Sequence, residues 1–441
     1  MIDRLVAHRF RGIREGALED CAKFNVLVGP NNSGKTAVLE MLYLAVVSGR
    51  EGGLVLEDGT RFEARVPLRH DFLGYRPLPR LWARHGQSSH WEEPPGGVTE
   101  GGALWYQLKD LPEAHPLREF RIAPPLGEAG YEIEGFDQED VQNIVLFALE
   151  QPRALPAEMA PDWLSAEMQP EDARLAYLWY PDFVFRGQAT RQDPLDHLAI
   201  WALEGADKQR PVKIDPERVM FFDFHVTHAH FHRRFWEFAY NAVPDWYERL
   251  AQAMGRIFPD MADGRVEINP APNDQEAAQM VGDVRLPGRR PIRIDNFGDG
   301  ARHAFKVLAG LIALAETVDE DRPGLFLWED PELFMHPATL GRMLDEVVRL
   351  VRERPIQMFI STQSQEVLTC IGQLMERDAI SSSVVRTWQF QLLDGFLEVQ
   401  SFIGKTLNVW LEYDMDPRVP ARAKGSSHLA AIQHATVEGE E

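Results

Sequence analysis

Apolar positions along this chain gather in short unbroken runs, separated by stretches in which they recur at helical spacing. "FNVLV", residues 24–28, is a run that predicts a buried strand. It is followed by a glycine-bearing loop and then by Val38, Met41, Leu42, Ala45 and Val46, which fall on one face of a helix. A second run, "LFLW" at 325–328, predicts another buried strand, and it ends abruptly on Glu329 and Asp330. Phe305, Leu308, Leu311 and Ile312 repeat at helical spacing after a turn built on Gly298 and Gly300. "MFISTQSQEVL", residues 358–368, opens as a strand, and "SSSVVRTWQFQLLDGFLEVQSF" has the form of a hairpin. "LNVWLEYDMDPR" follows it.

Between these landmarks lies a long middle rich in Pro, Trp and Phe, without sustained heptads, which excludes long coiled-coil arms. There "EDVQNIVLFALE", "PLDHLAIWALE" and "HRRFWEFAYNAVPDWYERLAQAMGRIF" are expected as helices, and "RVEINPAP" and "AQMVGDVRL" as strands. The expected division is a first head segment at 1–50, a largely helical lid at 51–285, a second head segment at 286–418, and a disordered acidic tail at 419–441.

Composition narrows the class. The chain has 441 residues, enough for two or three domains' worth of core. No stretch of about 18 apolar residues is present, and the N-terminus mixes charged and apolar residues too quickly for a signal peptide. Two cysteines, Cys21 and Cys370, without metal-ligand spacing, fit a reducing cytoplasm and are expected as small core residues. A net charge of -22 argues against the whole surface binding nucleic acid, although arginines cluster in "HFHRRF" and "LPGRRPIR". His225, His228 and His232, with His230 beside them, would share a face on one helix, but with Asp223 as the sole adjacent carboxylate they are expected as surface or interface histidines.

The chemistry starts at the first loop. Gly29-x-x-x-x-Gly34-Lys35-Thr36 is the phosphate-cradling spacing, placed between a strand and a helix as that chemistry requires. Gly29 and Gly34 let the backbone close on phosphates, and the amides of Asn31, Asn32 and Ser33 complete an anion nest at a helix N-terminus. Lys35 is expected to reach the outer phosphates of ATP, and the Thr36 hydroxyl to ligate Mg²⁺. Such a site needs a carboxylate at a neighbouring strand end. Glu329 is expected to hold the same Mg²⁺, and Asp330 to act as base toward the attacking water, with Glu332 the next in line.

These stretches resemble the ABC-type ATPase heads of the RecF, SMC and OLD group, and especially the compact bacterial AAA-type proteins found in anti-phage operons. "FNVLVGPNNSGKTAVLE" looks like their Walker A, "LFLWEDPELFMHP" like their Walker B, and "DNFGDGARHAFKVLAGLIALAE" like their signature segment. "RFRGI", carrying Arg11 as a nucleotide-binding residue, is similar to their first strand, and His336 to part of the loop after Walker B. The resemblance covers about residues 1–50 and 286–418. It implies an α/β P-loop head with a mixed central sheet, and a homodimer or larger homo-oligomer sandwiching ATP. In that sandwich Gly298, Asp299 and Gly300 of one protomer face the γ-phosphate held by the other. It also implies a cytoplasmic ATPase acting with an effector protein in trans, or with DNA. Three departures stand out: Glu329-Asp330 reverses the usual Asp-Glu order, Gly298 replaces a serine, and Gln363 stands where a switch histidine is expected. Hydrolysis is accordingly expected to be slow, and Gln363 with Gly298 leaves a non-hydrolysing, nucleotide-bound scaffold as an alternative.

Overall fold

The structure is a computed structural model that describes residues 2, 5–10, 13–18, 20–47, 50–55, 61–66, 70–75, 80, 84, 121–122, 133–134, 175–177, 200–202, 214–271, 279–413 and 415–418. Arg11, the expected helix at 139–150 and the expected tail at 419–441 lie outside the described residues. The chain divides into two compact units, one comprising Met1–Asp20, Ala37–Val219 and Asp394–Phe396, the other Cys21–Thr36, Met220–Leu393 and Leu397–Glu441.

In the first unit β1 (Leu5–Phe10) and β2 (Ile13–Leu18) form an antiparallel hairpin. Helix α1 (Lys35–Val47) starts in the second unit and runs into the first. It is buried on all sides rather than on one face, because Glu40 and Tyr43 are enclosed along with the apolar positions. The Tyr43 hydroxyl donates to Asp71 Oδ2 at 2.7 Å and Arg80 Nη1 donates to the same oxygen at 2.9 Å. Burial pushes the Asp71 carboxyl up, while Arg80 beside it pulls the other way. Three further antiparallel pairs follow: β4 (Arg50–Val55) with β5 (Arg61–Val66), β6 (Arg121–Ile122) with β7 (Ile133–Glu134), and β8 (Leu175–Tyr177) with β9 (Ile200–Ala202). The last pair corrects the helix expected at 194–204. Ile200 and Trp201 are β-branched and aromatic, and here they are held in register against Tyr177 and Ala176.

The second unit is built on a sheet in the order β18 (Phe396–Ile403), β17 (Val385–Leu393), β3 (Phe24–Val28), β16 (Ile356–Thr362), β15 (Gly324–Glu329) and β10 (Val219–Phe222). β17 and β16 run parallel to β3 between them, and β15 runs parallel to β16, with Val28 beside Thr362 and Glu329 beside Ser361. β3 and β16 are buried at every position, as central parallel strands covered on both faces must be. Chain-distant strands are neighbours here, so the segments leaving β3, β15 and β16 emerge along one edge.

Helices α2 (Phe224–His228), α3 (Arg233–Ala242), α4 (Trp246–Ile257), α5 (Asp299–Thr317), α6 (Pro337–Val351), α7 (Gln365–Glu376) and α8 (Gly404–Glu412) complete this unit. A smaller sheet orders β11 (Phe231–His232), β13 (Gln279–Arg285) and β12 (Arg265–Pro270), with β14 (Ile292–Arg293) beside β13. Residues from Met220 to Arg285, expected in the lid, thus cluster with the head. The long helix expected at 232–258 is two helices, interrupted where Asp245 turns left-handed at φ 54°. The histidines do not share a helix either: His228 ends α2, and His232 caps α3 through its ring nitrogen. Trp246 is a core residue, 2% exposed, its indole donating to Ala309 O at 3.1 Å. Cys21 and Cys370 are half-buried rather than enclosed in the core.

Candidate nucleotide site

The loop after β3 takes the conformation its glycines permit. Gly29 has φ 148°, and a Cβ there would stand 2.5 Å from Phe390 O, so no side chain fits. Asn32 at φ 61° and Gly34 at φ 94° turn the backbone back toward α1. Asn31 and Asn32 are exposed and Ser33 is buried. Lys35, 6% exposed, folds over this loop and donates to Gly29 O at 2.9 Å and Pro30 O at 2.8 Å. Burial lowers the affinity of its amine for protons, against the pull of Asp330, Glu332 and Glu329.

The Walker residues meet across the sheet. Thr36 Oγ1 donates to Glu329 Oε1 at 2.7 Å, although 293 positions separate them in the chain. One hydroxyl and one carboxylate in contact, both oxygen donors, make a set that suits Mg²⁺. Asp330 follows immediately in a left-handed conformation, φ 45°, its amide donating to Ser361 O at 2.9 Å. That turn is where β15 leaves the sheet, and it sends the chain away from the strand direction.

Glu332 is placed differently. Its Oε1 accepts from Thr362 Oγ1 at 2.8 Å and from the Gln363 amide at 3.0 Å. This oxygen is committed to the end of β16, so Glu332 ties the two loops together. Gln363 itself is exposed, and its carbonyl accepts from Arg418 Nη1 at 2.7 Å.

The signature segment is a helix N-terminus. Gly298 is the N-cap of α5, its carbonyl accepting from the amides of Ala301 and Arg302. Asp299 and Gly300 lie in the first turn, whose amides have no intrahelical acceptor. Asp299 pairs with His228 and Arg302 at 3.7 and 3.4 Å, not with the P-loop. Gly300 is needed for a close approach, since a Cβ there would sit 2.6 Å from Phe334 O. Phe334 has φ 68° and stands 41% exposed beside Phe224, itself 46% exposed. His336 caps α6, with Pro337 at its first position.

A buried chain of hydrogen bonds, absent from the sequence reading, links α5 to the Walker B strand. Trp328 Nε1 donates to His303 Nε2 at 3.1 Å, so the ring proton sits on Nδ1 and is donated to Thr227 Oγ1 at 2.7 Å. The Thr227 hydroxyl in turn donates to Asp223 O at 3.2 Å. Burial holds the His303 imidazole neutral, lowering its pKa to about 3. No signal of spacing could have revealed this, because its members come from three separated segments.

Among known proteins, residues 195–369 match the family described as "AAA domain, putative AbiEii toxin, Type IV TA system". The DNA replication and repair protein RecF of Psychromonas ingrahamii is 52% identical over 42 residues, and that of Vibrio campbellii 49% over 43. Each stretch amounts to 10% of this chain and 12% of the RecF chain. Among solved structures, an Smc head bound to the C-winged helix domain of ScpA aligns over 91% of this chain and 97% of its own, at 12% identity and a TM-score of 0.40. The SMC head domain from Thermotoga maritima aligns over 91% and 98%, at 12% identity and a TM-score of 0.34. Walker A-like, Walker B-like and signature-like segments are carried by one mixed α/β unit, and the AAA match at 195–369 spans the last two of them, which supports the P-loop fold of the ABC-type ATPases of the RecF/SMC group.

Proposed function

We propose that the chain binds Mg²⁺–ATP at the loop between β3 and α1, hydrolyses it slowly, and uses the cycle as a switch. The observation that carries this reading is the 2.7 Å contact between Thr36 and Glu329, which assembles the two metal-ligand oxygens beside the phosphate loop. Mg²⁺ would supply charge neutralisation on the phosphates. Lys35, now donating to its own loop carbonyls, would transfer those hydrogen bonds to phosphate oxygens. Asp330 is the base in this scheme because it directly follows Glu329 at the strand end; Glu332, whose Oε1 is engaged by Thr362 and Gln363 while its Oε2 is buried without a hydrogen-bond partner, is the next candidate. Gln363 can orient water by hydrogen bonding but cannot take up its proton, which supports slow turnover.

A second copy of the chain completes the site in this proposal. The free first-turn amides at Asp299 and Gly300 form an anion site that no group of the same described unit fills. The exposed aromatics Phe224 and Phe334 beside them suit an interface. The output is made by an effector protein in trans, and the toxin–antitoxin description of the matched AAA family supports such a pairing, in phage defence or DNA surveillance.

A second reading, a clamp that binds DNA across the dimer, is favoured by one observation. Exposed Arg265, Arg285, Arg289 and Arg290, on β12, on β13 and in the turn after it, have no ion pair among the described residues. ATP-dependent, salt-sensitive DNA binding lost in R289A/R290A would select that reading.

Nucleotide binding and phosphate release test the first. Lys35→Ala is expected to weaken ATP binding by about a hundredfold or more, through loss of a buried charge on phosphate. Asp330→Asn is expected to bind ATP normally and to turn it over about a hundredfold more slowly. Wild-type phosphate release from Asp330→Asn would assign the base elsewhere.

A further inference from the structure

The main chain of Gln363 is held from two sides by side chains that come from opposite directions along the sequence. Its amide donates to Glu332 Oε1 at 3.0 Å, and its carbonyl accepts from Arg418 Nη1 at 2.7 Å. The Arg418 fork is itself fixed: Nε and Nη2 each donate to the Asp416 carboxylate at 2.8 Å, which leaves Nη1 for Gln363. The segment that carries Arg418 is anchored in turn. Pro417 is buried, its carbonyl accepting from Gln389 Nε2, and the Met415 amide donates to Trp410 O at 2.8 Å. Gln389 is paired in register with Val28, the residue before Gly29. The strap from Asp416 to Arg418 therefore runs from the middle of β17, level with the end of β3, to the end of β16, the strands on either side of the one that opens into the phosphate loop.

We propose that Arg418 is a positioning residue for the switch: with Asp416 and Glu332 it fixes the peptide of Gln363, and so the place from which that residue's side chain addresses the γ-phosphate and water. The inference rests on the ATPase reading of the site. Both hydrogen bonds to the peptide are charge-assisted, and either loss would leave Gln363 free to rotate between β16 and α7. Lysine cannot replace arginine fully, because one ammonium cannot serve the Asp416 carboxylate with a two-pronged fork while holding the Gln363 carbonyl.

The test uses the full chain and compares R418A, R418K and D416A with wild type and K35A. Phosphate release at saturating ATP, nucleotide affinity, melting temperature, and amide hydrogen exchange across residues 361–366 are all measured. R418A is expected to lower kcat about tenfold, the effect of one charge-assisted hydrogen bond, and to speed exchange in that segment. KM, nucleotide affinity and melting temperature should stay at wild-type values, because Arg418 is partly exposed and touches no residue of the phosphate loop. R418K and D416A are expected between the two. Faster exchange with unchanged kcat would overturn the positioning role, and so would parallel losses of kcat and nucleotide affinity. Absence of phosphate release from the wild-type chain would overturn the ATPase reading. Release that depends on Lys35 but is indifferent to Arg418 would overturn the positioning role of Arg418 alone.

Discussion

His303 shows how much one side chain can be constrained without touching the nucleotide loop. It accepts from the Walker B strand through Trp328 and donates to Thr227, so both ring nitrogens are spoken for and protonation would break the Trp328 bond. Its pKa is lowered from 6.5 to about 3 by burial first, and by His228 second. The sign follows from linkage. Between about pH 3 and 6.5 the unfolded chain binds a proton at this position that the folded chain refuses, so this contribution is complete above 6.5 and falls away as pH drops. The loss is at most about 1.4 kcal/mol per pH unit for one proton. His303→Gln, measured by denaturant unfolding from pH 7 to pH 4, is expected to be less stable at pH 7 and to show a shallower acid slope. An unchanged slope would mean that other groups govern the acid limb. Lys306, 3% exposed and donating to Ala229 O, acts in a separate window. Burial lowers it from 10.5 to about 8, so the unfolded chain holds the extra proton over that range and stability should rise with pH there.

At the scale of elements, the contrast between Gly298 and Gly300 gives two opposite expectations from one helix. Gly298 is an N-cap at φ -61° with nothing within 4 Å of an added Cβ. Gly298→Ser is expected to stabilise α5 by a few tenths of a kcal/mol, since serine can cap the first turn. Gly300→Ala pushes a methyl group into Phe334 O, and about 1–3 kcal/mol of destabilisation is expected in chemical unfolding. Equal effects from the two substitutions would remove the close approach as their explanation. Elements were legible where a short-range pattern decides them: β3, β15, β12, β13 and the β17–β18 hairpin follow their apolar runs, and Asp394-Gly395 supplies the left-handed turn of that hairpin. The split at Asp245 was legible in part: Pro244 before it cannot continue a helix, whereas the φ 54° that Asp245 adopts carries no sequence mark. Ile200–Ala202 misled for a related reason. Three residues carry no period, and their strand state comes from a partner 25 positions away.

For the whole molecule, the expected assembly gives the strongest test. If the signature helix of one copy completes the phosphate site of another, then phosphate release per protomer should rise with protein concentration and level off when dimers are formed. Light scattering or sedimentation should show association with ATP in Asp330→Asn and none in Lys35→Ala. A turnover number that stays constant on dilution to nanomolar protein would exclude the sandwich. The glycine loop, Glu329 and Asp330 were legible in the chain as candidate site groups because strand-end carboxylates and glycine loops are local features. Their contact at Thr36–Glu329 needed the strand order, and the hold of Arg418 on Gln363 needed a segment 55 positions downstream that no motif marks.

The meeting of Gly300 with the Phe334 carbonyl also has a consequence for descent. Two positions 34 residues apart share one volume, and the left-handed backbone of Phe334 is part of how they fit. In related chains these sites should not drift independently. A lineage that acquires a side chain at the first should show a shorter or differently folded loop at the second, or a glycine at the second that lets its carbonyl swing away. Selection from a library randomised at 300 and 334 together should recover such pairs, and should recover few single changes at 300.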